Sequence, residues 1–209
     1  MELEQIELIA PERYPKCANL PMNPILEKQL GSLEQAVAAV KATLPALDRC
    51  AELIAVSLQG GGKILAAGNG GSACDALHLC EELVGRYRDN RRALPAISLA
   101  ADGTTLTCIG NDFGFDQVFA RQVEALGQRG DVLVLFTSSG NSPNLLRALD
   151  AARAGGLKTV VLTGRGGGKL AGRADAEWIV PSDHGARVQE LHTWALHVIL
   201  EVVEARLFA

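Results

Sequence analysis

His78 and Glu82 are the residues whose types and spacing first indicate chemistry. They lie four residues apart in a segment with a helical pattern, so both side chains fall on one helix face. An imidazole and a carboxylate at this spacing can fill two positions of a zinc or similar divalent-metal site. Cys74, one turn earlier, could be a further ligand. A surface pair is the commoner explanation of an isolated His and Glu at this spacing.

A glycine-rich loop, GNGGSA at residues 68–73, precedes that helix. Its G-x-G-x-x-A pattern is typical of dinucleotide sites, where glycines let the backbone approach a pyrophosphate. The acidic residue expected about 20 residues further on is missing, since Asp102 lies 29 residues past Ala73. A tight turn without a ligand is the alternative.

A second loop, TSSGNS at residues 137–142, follows the apolar segment VLVLF and precedes Pro143. Its four hydroxyls and the free N–H groups of the next helix would form a neutral cradle for an anion. A phosphate monoester on a sugar fits such a loop, whereas a dinucleotide does not need it. A serine-rich turn and helix cap would explain only one or two of these residues.

Composition limits the class of protein. The 209 residues are 48% hydrophobic and 21% charged, enough for one ordinary α/β domain with a small helical appendage. The net charge is −4 and the basic residues are scattered, which argues against nucleic-acid or anionic-membrane partners. No apolar run approaches the length of a membrane helix, and the acidic, proline-broken start does not match a signal peptide. Five cysteines without a C-x-x-C pair favour a reducing cytoplasm, with most of them packed in the core.

Strand-like and helix-like segments alternate from residue 61 onward. The pattern predicts a loose extension over residues 1–22, N-terminal helices over residues 23–60 with Asn23 as cap, and one main domain over residues 61–209. Buried apolar strands between helices predict a three-layer, doubly wound α/β fold with a five-stranded parallel sheet. The predicted strands are residues 63–67, 96–99, 132–136, 159–162 and 178–180, and the predicted helices are residues 72–87, 117–126, 143–154 and 186–207.

Five segments in order carry a resemblance to a known family: GNGGS, HLCEELVGRY, IGNDFGF, TSSGNS and RVQELHTWALH. Together they resemble the sedoheptulose 7-phosphate (phosphoheptose) isomerases, a branch of the sugar-isomerase (SIS) domain family, from about Lys63 to the C-terminus. The resemblance implies a homotetramer with active sites near subunit interfaces and one divalent metal, usually zinc, per subunit. It implies interconversion of sedoheptulose 7-phosphate and D-glycero-D-manno-heptose 7-phosphate, which opens nucleotide-heptose synthesis for bacterial cell-surface glycans such as lipopolysaccharide.

By this resemblance, the metal ligands are His78, Glu82, Gln189 and His197, with Glu82 as base and His197 as acid. Gln189 and His197 are separated by about 12 Å of helix, so one ion reaches both only from about midway or if different subunits contribute. His192 falls on another face of the same helix and is predicted to be structural. Cys74 has no role in the family and is left as a packed residue.

The resemblance also implies a substrate-binding set in which the second loop holds the phosphate. Its members are Asn69, Gly70, Gly71, Ser72, Glu82, Asn111, Asp112, Thr137, Ser138, Ser139, Ser142 and Gln189. Without the resemblance, Asn111 and Asp112 would predict a turn. Arg86 and Tyr87 could reach a neighbouring site, and the alternative for Arg86 is an ion pair with Glu81 or Glu82 on its own helix.

Two other classes of function fit parts of the sequence. A non-catalytic SIS-domain regulator, or a replication-initiator-associating relative, would share the fold and glycine loop but lack the full ligand and acid–base set. A nicotinamide-dependent enzyme would account for G-x-G-x-x-A alone.

Overall fold

The computed structural model describes residues 22–208. The predicted extension over residues 1–22 lies outside that range except for Met22. Helix α1 (Pro24–Val40) begins as predicted at Asn23, whose Oδ1 accepts a hydrogen bond from the Ile25 N–H at 3.0 Å. A single 3-10 turn, Lys41–Thr43, separates it from α2 (Leu44–Gln59).

The five predicted strands are present and form one parallel sheet in the order β2-β1-β3-β4-β5. Both neighbours of β1 pair with it in parallel register, for example Ile64 with Val132 and with Ala96. The strands are β1 (Ile64–Gly68), β2 (Ala96–Ser98), β3 (Val132–Phe136), β4 (Lys158–Thr163) and β5 (Ala176–Ile179). β1 and β3 are buried along their whole length, which is why their sequences are continuously apolar.

Helices cover both faces of the sheet, which confirms the three-layer α/β fold. One core packs α2, α3 and α7 against the sheet, and the other packs α4, α5 and α6 against the opposite face. These helices are α3 (Gly71–Val84), α4 (Gly103–Phe113), α5 (Ala120–Leu126), α6 (Pro143–Ala154) and α7 (Gly185–Phe208). None of the helices in the described range is long and apolar enough to cross a membrane.

Three helices, α3, α4 and α5, differ from the prediction. α5 begins at Ala120, three residues later than predicted. α3 ends at Val84, three residues earlier than predicted, because Gly85 leaves helical geometry at φ −78° and ψ −110°. α4 was not predicted, and Asn111 and Asp112 lie inside it, so a turn at these two residues is wrong.

His192 is a structural histidine, as predicted. Its side chain is completely buried between Phe136 and Trp178, and its Nε2 lies 3.3 Å from the Thr163 carbonyl oxygen. Burial lowers the pKa of His192 to about 4, although the hydrogen bond to Thr163 opposes that shift. The imidazole is therefore neutral in the folded protein at neutral pH.

The buried His192 should make stability depend on pH. Its folded-state pKa lies below the unfolded value of 6.5, so the unfolded chain binds more protons between these limits. Acidification from pH 6.5 to about 4 should therefore lower the free energy of unfolding by about 3 kcal/mol through this residue alone. Denaturant unfolding at pH 7 and pH 4.5 should show a shallower pH dependence for His192→Gln than for the unsubstituted chain. The exposed His184→Gln is the control, and equal pH dependence in His192→Gln and wild type would contradict the assignment.

Candidate active site

Three of the four predicted metal ligands meet between α3 and α7. The Nε2 of His78 lies 3.5 Å from Oε1 of Glu82, and the His78 and His197 rings meet edge to face with centroids 4.9 Å apart. One potential ligand atom from each of the three side chains lies within 4.8 Å of the other two. All three are partly exposed, so a ligand can reach them. We call these residues the His–Glu–His cluster.

The cluster exists because α3 and α7 run side by side in the same direction. Near the start of α3, Gly71 faces Gln189. One turn later, the Thr193 hydroxyl donates a 2.9 Å hydrogen bond to Asp75 Oδ1, and His78 then meets His197. The register of the two helices thus aligns residues separated by more than 110 positions in sequence.

Gln189 is seated against the first turn of α3. A Cβ atom at Gly71 would come within 2.6 Å of the Gln189 amide nitrogen, so the side chain packs where only glycine leaves room. With 1.5 Å of rise per residue, Gln189 is about 12 Å along α7 from His197. Within one chain, its amide therefore lies beside the first glycine-rich loop, at the other end of the paired helices from the His–Glu–His cluster.

Partial burial shapes the electrostatics of the paired helices. Burial is the main cause that lowers the pKa of His197, and proximity to His78 adds to it, while Glu82 and Glu201 act in the opposite direction. Burial also raises the pKa of Asp75 to about 6, and the Thr193 hydrogen bond and His78 oppose that shift. A lowered pKa favours the neutral imidazole, the form that binds metal ions and accepts protons.

Tyr87 completes one wall of the cluster. Its ring stacks on His197 with centroids 5.4 Å apart and planes 21° apart, and its hydroxyl lies 3.4 Å from Glu201 Oε1. Tyr87 therefore lies against the cluster of its own chain. Cys74 is exposed, with its Sγ 3.9 Å from the Gly70 carbonyl oxygen, so its interpretation as a packed residue is wrong.

A reciprocal amide pair joins the two loops. Asn69 and Asn144 each donate from Nδ2 to the Oδ1 of the other, at 2.9 Å in both directions. Asn144 is only 1% exposed and lies in the first turn of α6. Sequence reasoning missed Asn144, although its place directly after Ser142-Pro143 was an available signal. The pair joins the glycine-rich loop (residues 68–73) to the predicted phosphate loop at the carboxyl ends of the neighbouring strands β1 and β3.

The predicted phosphate loop has defined internal geometry. The Thr137 hydroxyl accepts a 3.2 Å hydrogen bond from the Gly140 N–H, and Ser142 starts α6 without using its hydroxyl as a cap. Gly140 has φ +64° and abuts Gly167, so a side chain there would collide with the Gly167 carbonyl oxygen. Ser138 and Ser139 are partly exposed. The arrangement leaves serine hydroxyls and helix N–H groups for an anion.

The remaining predicted residues lie in two places. Gly70 is exposed at the loop with φ +57°, whereas Ser72 is 3% exposed and packs beneath Gly68. Asn111 and Asp112 are exposed near the end of α4, and Asn111 Nδ2 donates to Asp112 Oδ1 at 2.7 Å. Among residues 22–208, the side-chain hydrogen bonds of this pair stay within α4.

Comparison with known proteins shows the family of this chain. The SIS domain family matches residues 23–164, so the chain belongs to the SIS domain proteins. A phosphoheptose isomerase of Sodalis glossinidius is 50% identical over 167 residues, which cover 79% of this chain and 86% of the relative. Within the SIS class, the chain belongs to the phosphoheptose isomerase family.

Solved structures of the same family have the same fold. The phosphoheptose isomerase of Neisseria gonorrhoeae superposes with a TM-score of 0.83 at 39% identity, covering 87% of this chain and 98% of that one. The corresponding protein of Francisella tularensis gives a TM-score of 0.82 at 35% identity, covering 89% of this chain and all of that one.

The Asn69–Asn144 pair should be needed to hold the loops together. Asn144→Ala removes both hydrogen bonds from a buried position, so we expect it to lower the free energy of unfolding by about 1–3 kcal/mol. Chemical denaturation checks this value. The exposed Asn90→Ala should change stability by less than about 0.5 kcal/mol. Equal stabilities of the two variants would show that the pair does not hold the loops.

Proposed function

We propose that this chain isomerises sedoheptulose 7-phosphate to D-glycero-D-manno-heptose 7-phosphate, a ketose–aldose isomerisation through an enediol. The observation that carries the proposal is the His–Glu–His cluster, with its ligand atoms within 4.8 Å of one another. The names of the relatives support it, since the compared proteins are phosphoheptose isomerases. The product would enter nucleotide-heptose synthesis for cell-surface glycans, including lipopolysaccharide, in the cytoplasm.

The distance between the loops and the cluster suits an extended seven-carbon sugar phosphate. His78 follows Gly71 by seven residues, which corresponds to about 10 Å along α3. With the phosphate on Thr137, Ser138, Ser139 and Ser142, the far end of the sugar would reach the cluster. The residues that would line the sugar along the intervening path are Asn69, Gly70, Gly71, Ser72, Asn111, Asp112 and Gln189.

The two catalytic roles divide between Glu82 and His197. Glu82 removes the proton from C1 of the ketose and returns a proton to C2, so it ends the cycle unchanged. His197 gives a proton to the C2 oxygen and takes one from the C1 hydroxyl, which gives the aldose. Both transfers require groups within hydrogen-bond reach of two adjacent carbons, and the cluster holds these side chains that close together.

The donor set fits a divalent metal, with zinc as the proposed ion. Two imidazole nitrogens and one carboxylate are ligands that zinc prefers in proteins, and their atoms converge to within 4.8 Å. When bound, the metal would stabilise negative charge on the substrate oxygens. His78, Glu82 and His197 would hold it, and Gln189 would join if the ion lies nearer to its amide or if a second subunit supplies that amide. Because a side chain bound directly to the ion is not a free acid or base, Glu82 or His197 would transfer a proton only while its own ligand atom is not bound to the ion.

An exposed apolar face on α1 supports self-association. Ile25, Leu26, Leu30 and Val37 are each more than half exposed, an arrangement more typical of an interface than of a solvated helix. We propose a homotetramer with active sites near its interfaces, and no nucleic-acid or membrane partner. The division into an extension (1–22), helices (23–60) and main domain (61–209) is part of the same proposal.

An isomerase assay tests the proposed function. Purified protein should convert sedoheptulose 7-phosphate to the aldose 7-phosphate, lose activity with a chelator and regain it with zinc. Glu82→Gln and His197→Ala should each lower kcat by roughly 10²–10⁴-fold while leaving a folded protein, as measured by turnover and circular dichroism. The matched controls are Glu81→Gln and His184→Ala at exposed positions, which should retain activity.

Each outcome of this assay has a distinct meaning. Turnover at the wild-type rate in Glu82→Gln or His197→Ala would contradict the assigned roles. Saturable binding of the sugar phosphate without turnover in the unsubstituted chain would instead indicate a phosphosugar-binding regulator.

The packing of Gln189 gives a further prediction. In Gly71→Ala, the new methyl group should displace the Gln189 amide and lower kcat/KM about tenfold, because a small misplacement of a binding group is costly. Stability should change little, since the displaced atoms end a flexible side chain. Gly103→Ala also adds a methyl group at the first residue of a helix, but it meets nothing within 4 Å and should be neutral. Unchanged steady-state kinetics in Gly71→Ala would show that the position of the Gln189 amide against Gly71 does not contribute to activity.

A further inference from the structure

A buried arginine lies behind the His–Glu–His cluster. The side chain of Arg91 is 3% exposed and pairs through Nε with Glu204 Oε1 at 2.7 Å, while Glu204 is itself only 14% exposed. Arg91 belongs to the irregular segment between α3 and β2, and Glu204 lies in the last two turns of α7. The pair therefore ties the segment after α3 to the end of α7.

The guanidinium of Arg91 also caps α3. Its Nη2 donates to the carbonyl oxygen of Glu82 at 2.7 Å, and its Nη1 donates to those of Leu83 at 2.9 Å and Gly85 at 3.3 Å. The last carbonyls of a helix have no partners within the helix, and a cation at that end is favourable. Only a planar, forked donor can bond this many acceptors at once, so a lysine could not replace it.

Glu204, the partner of Arg91, also contacts Tyr87. Oε1 of Glu204 lies 3.4 Å from the Tyr87 amide nitrogen, in addition to its bond with Arg91. Tyr87 in turn stacks on His197 at 5.4 Å. The contacts thus form one continuous path from Arg91, through the backbone of Glu82 and through Tyr87, to both proposed proton-transfer groups.

We propose that Arg91, paired with Glu204, is a positioning residue of the isomerase site. Within residues 22–208, the hydrogen bonds of the Arg91 side chain go to Glu204 and to backbone carbonyl oxygens, and none goes to a side chain of the His–Glu–His cluster. It fixes the backbone from which Glu82 projects, and it holds the Tyr87 ring against His197. Proton transfer needs the side chains of Glu82 and His197 aligned on adjacent carbons of the substrate. Weakening the contacts of Arg91 should therefore affect kcat more than KM. The inference rests on the proposed function.

The experiment compares Arg91→Lys with Arg92→Lys. Arg92 is the next residue, is exposed and also lies over the Phe208 ring, at 5.7 Å, but its side chain has no part in the cap. Arg91→Lys keeps the charge and should fold, yet it should lower kcat roughly ten- to a hundredfold and change KM less than about threefold. Arg92→Lys should match the unsubstituted enzyme. Equal kcat in all three proteins would overturn the inference.

A double-substitution cycle tests whether Arg91 acts through Tyr87. Tyr87→Leu should lower kcat, and adding Arg91→Lys should lower it by less than the product of the separate effects, because the two substitutions disturb one path. Fully independent effects would overturn the proposed path. So would an Arg91→Lys protein with a lowered melting temperature and an unchanged kcat.

A spectroscopic reading of His197 separates this inference from the proposed function. The chain has four histidines, so labelled-histidine NMR spectra can be assigned by substitution. The His197 ring protons should carry a ring-current shift from Tyr87 that disappears in Tyr87→Leu, shrinks in Arg91→Lys and persists in Arg92→Lys. An unsubstituted chain without turnover would refute the proposed function, and the His197 shift would still decide whether Arg91 positions the cluster.

Discussion

The parallel packing of α3 against α7 is the constraint on which the candidate site depends. Along one shared direction, the two helices bring Gly71 to Gln189, Asp75 to Thr193 and His78 to His197. Beyond the end of α3, Arg91 and Glu204 close the same interface. A shift of one helix by a single turn would move partners by about 5 Å, more than the 4.8 Å within which the cluster atoms now lie. The register of this helix pair is therefore as important as the identity of the ligands.

Partial burial between α3 and α7 explains why the pKa values of Asp75 and His197 differ from those of the same residue types on a protein surface. Burial raises the pKa of Asp75 to about 6 and lowers that of His197, so in both groups it disfavours the charged form. Asp75 has one oxygen bonded to Thr193, and its buried Oδ2 has no hydrogen-bond partner within residues 22–208. A carboxylate held this way lies in the field of His78, which helps to keep it ionised. Because this interface is partly shielded from water, interactions between its charged and polar groups are stronger than those between surface residues.

Most of the fold could be predicted from the sequence, because buried parallel strands are continuously apolar. VLVLF is such a strand, and every residue of β3 is buried. α4 was not predicted, because its sequence GTTLTCIGNDF is short and mostly polar, and of its periodic apolar residues Leu106, Ile109 and Phe113 only Ile109 is buried. The local signal for α4 was its cap: Asp102 Oδ1 accepts from the Thr104 N–H at 2.9 Å. Periodicity therefore finds helices with a long buried face, and capping chemistry is needed to find a short helix that buries a single residue.

The residues of the candidate site differ in how far the sequence alone could predict their positions. The spacing of His78 and Glu82 alone places them on one helix face, whereas His197 could be joined to them only through the resemblance, since no local pattern links α3 to α7. Arg91 is harder still, because it lies in an irregular segment and its partner Glu204 is 113 positions away. The burial of Arg91 indicates where its contacts must be sought. Because its side chain is only 3% exposed, its N–H groups need acceptors within the protein, and one of them donates to the carbonyl oxygen of Glu82. Arg91 is thus held by backbone carbonyl oxygens at the end of α3 that have no partner within the helix, and no local sequence pattern indicates this contact.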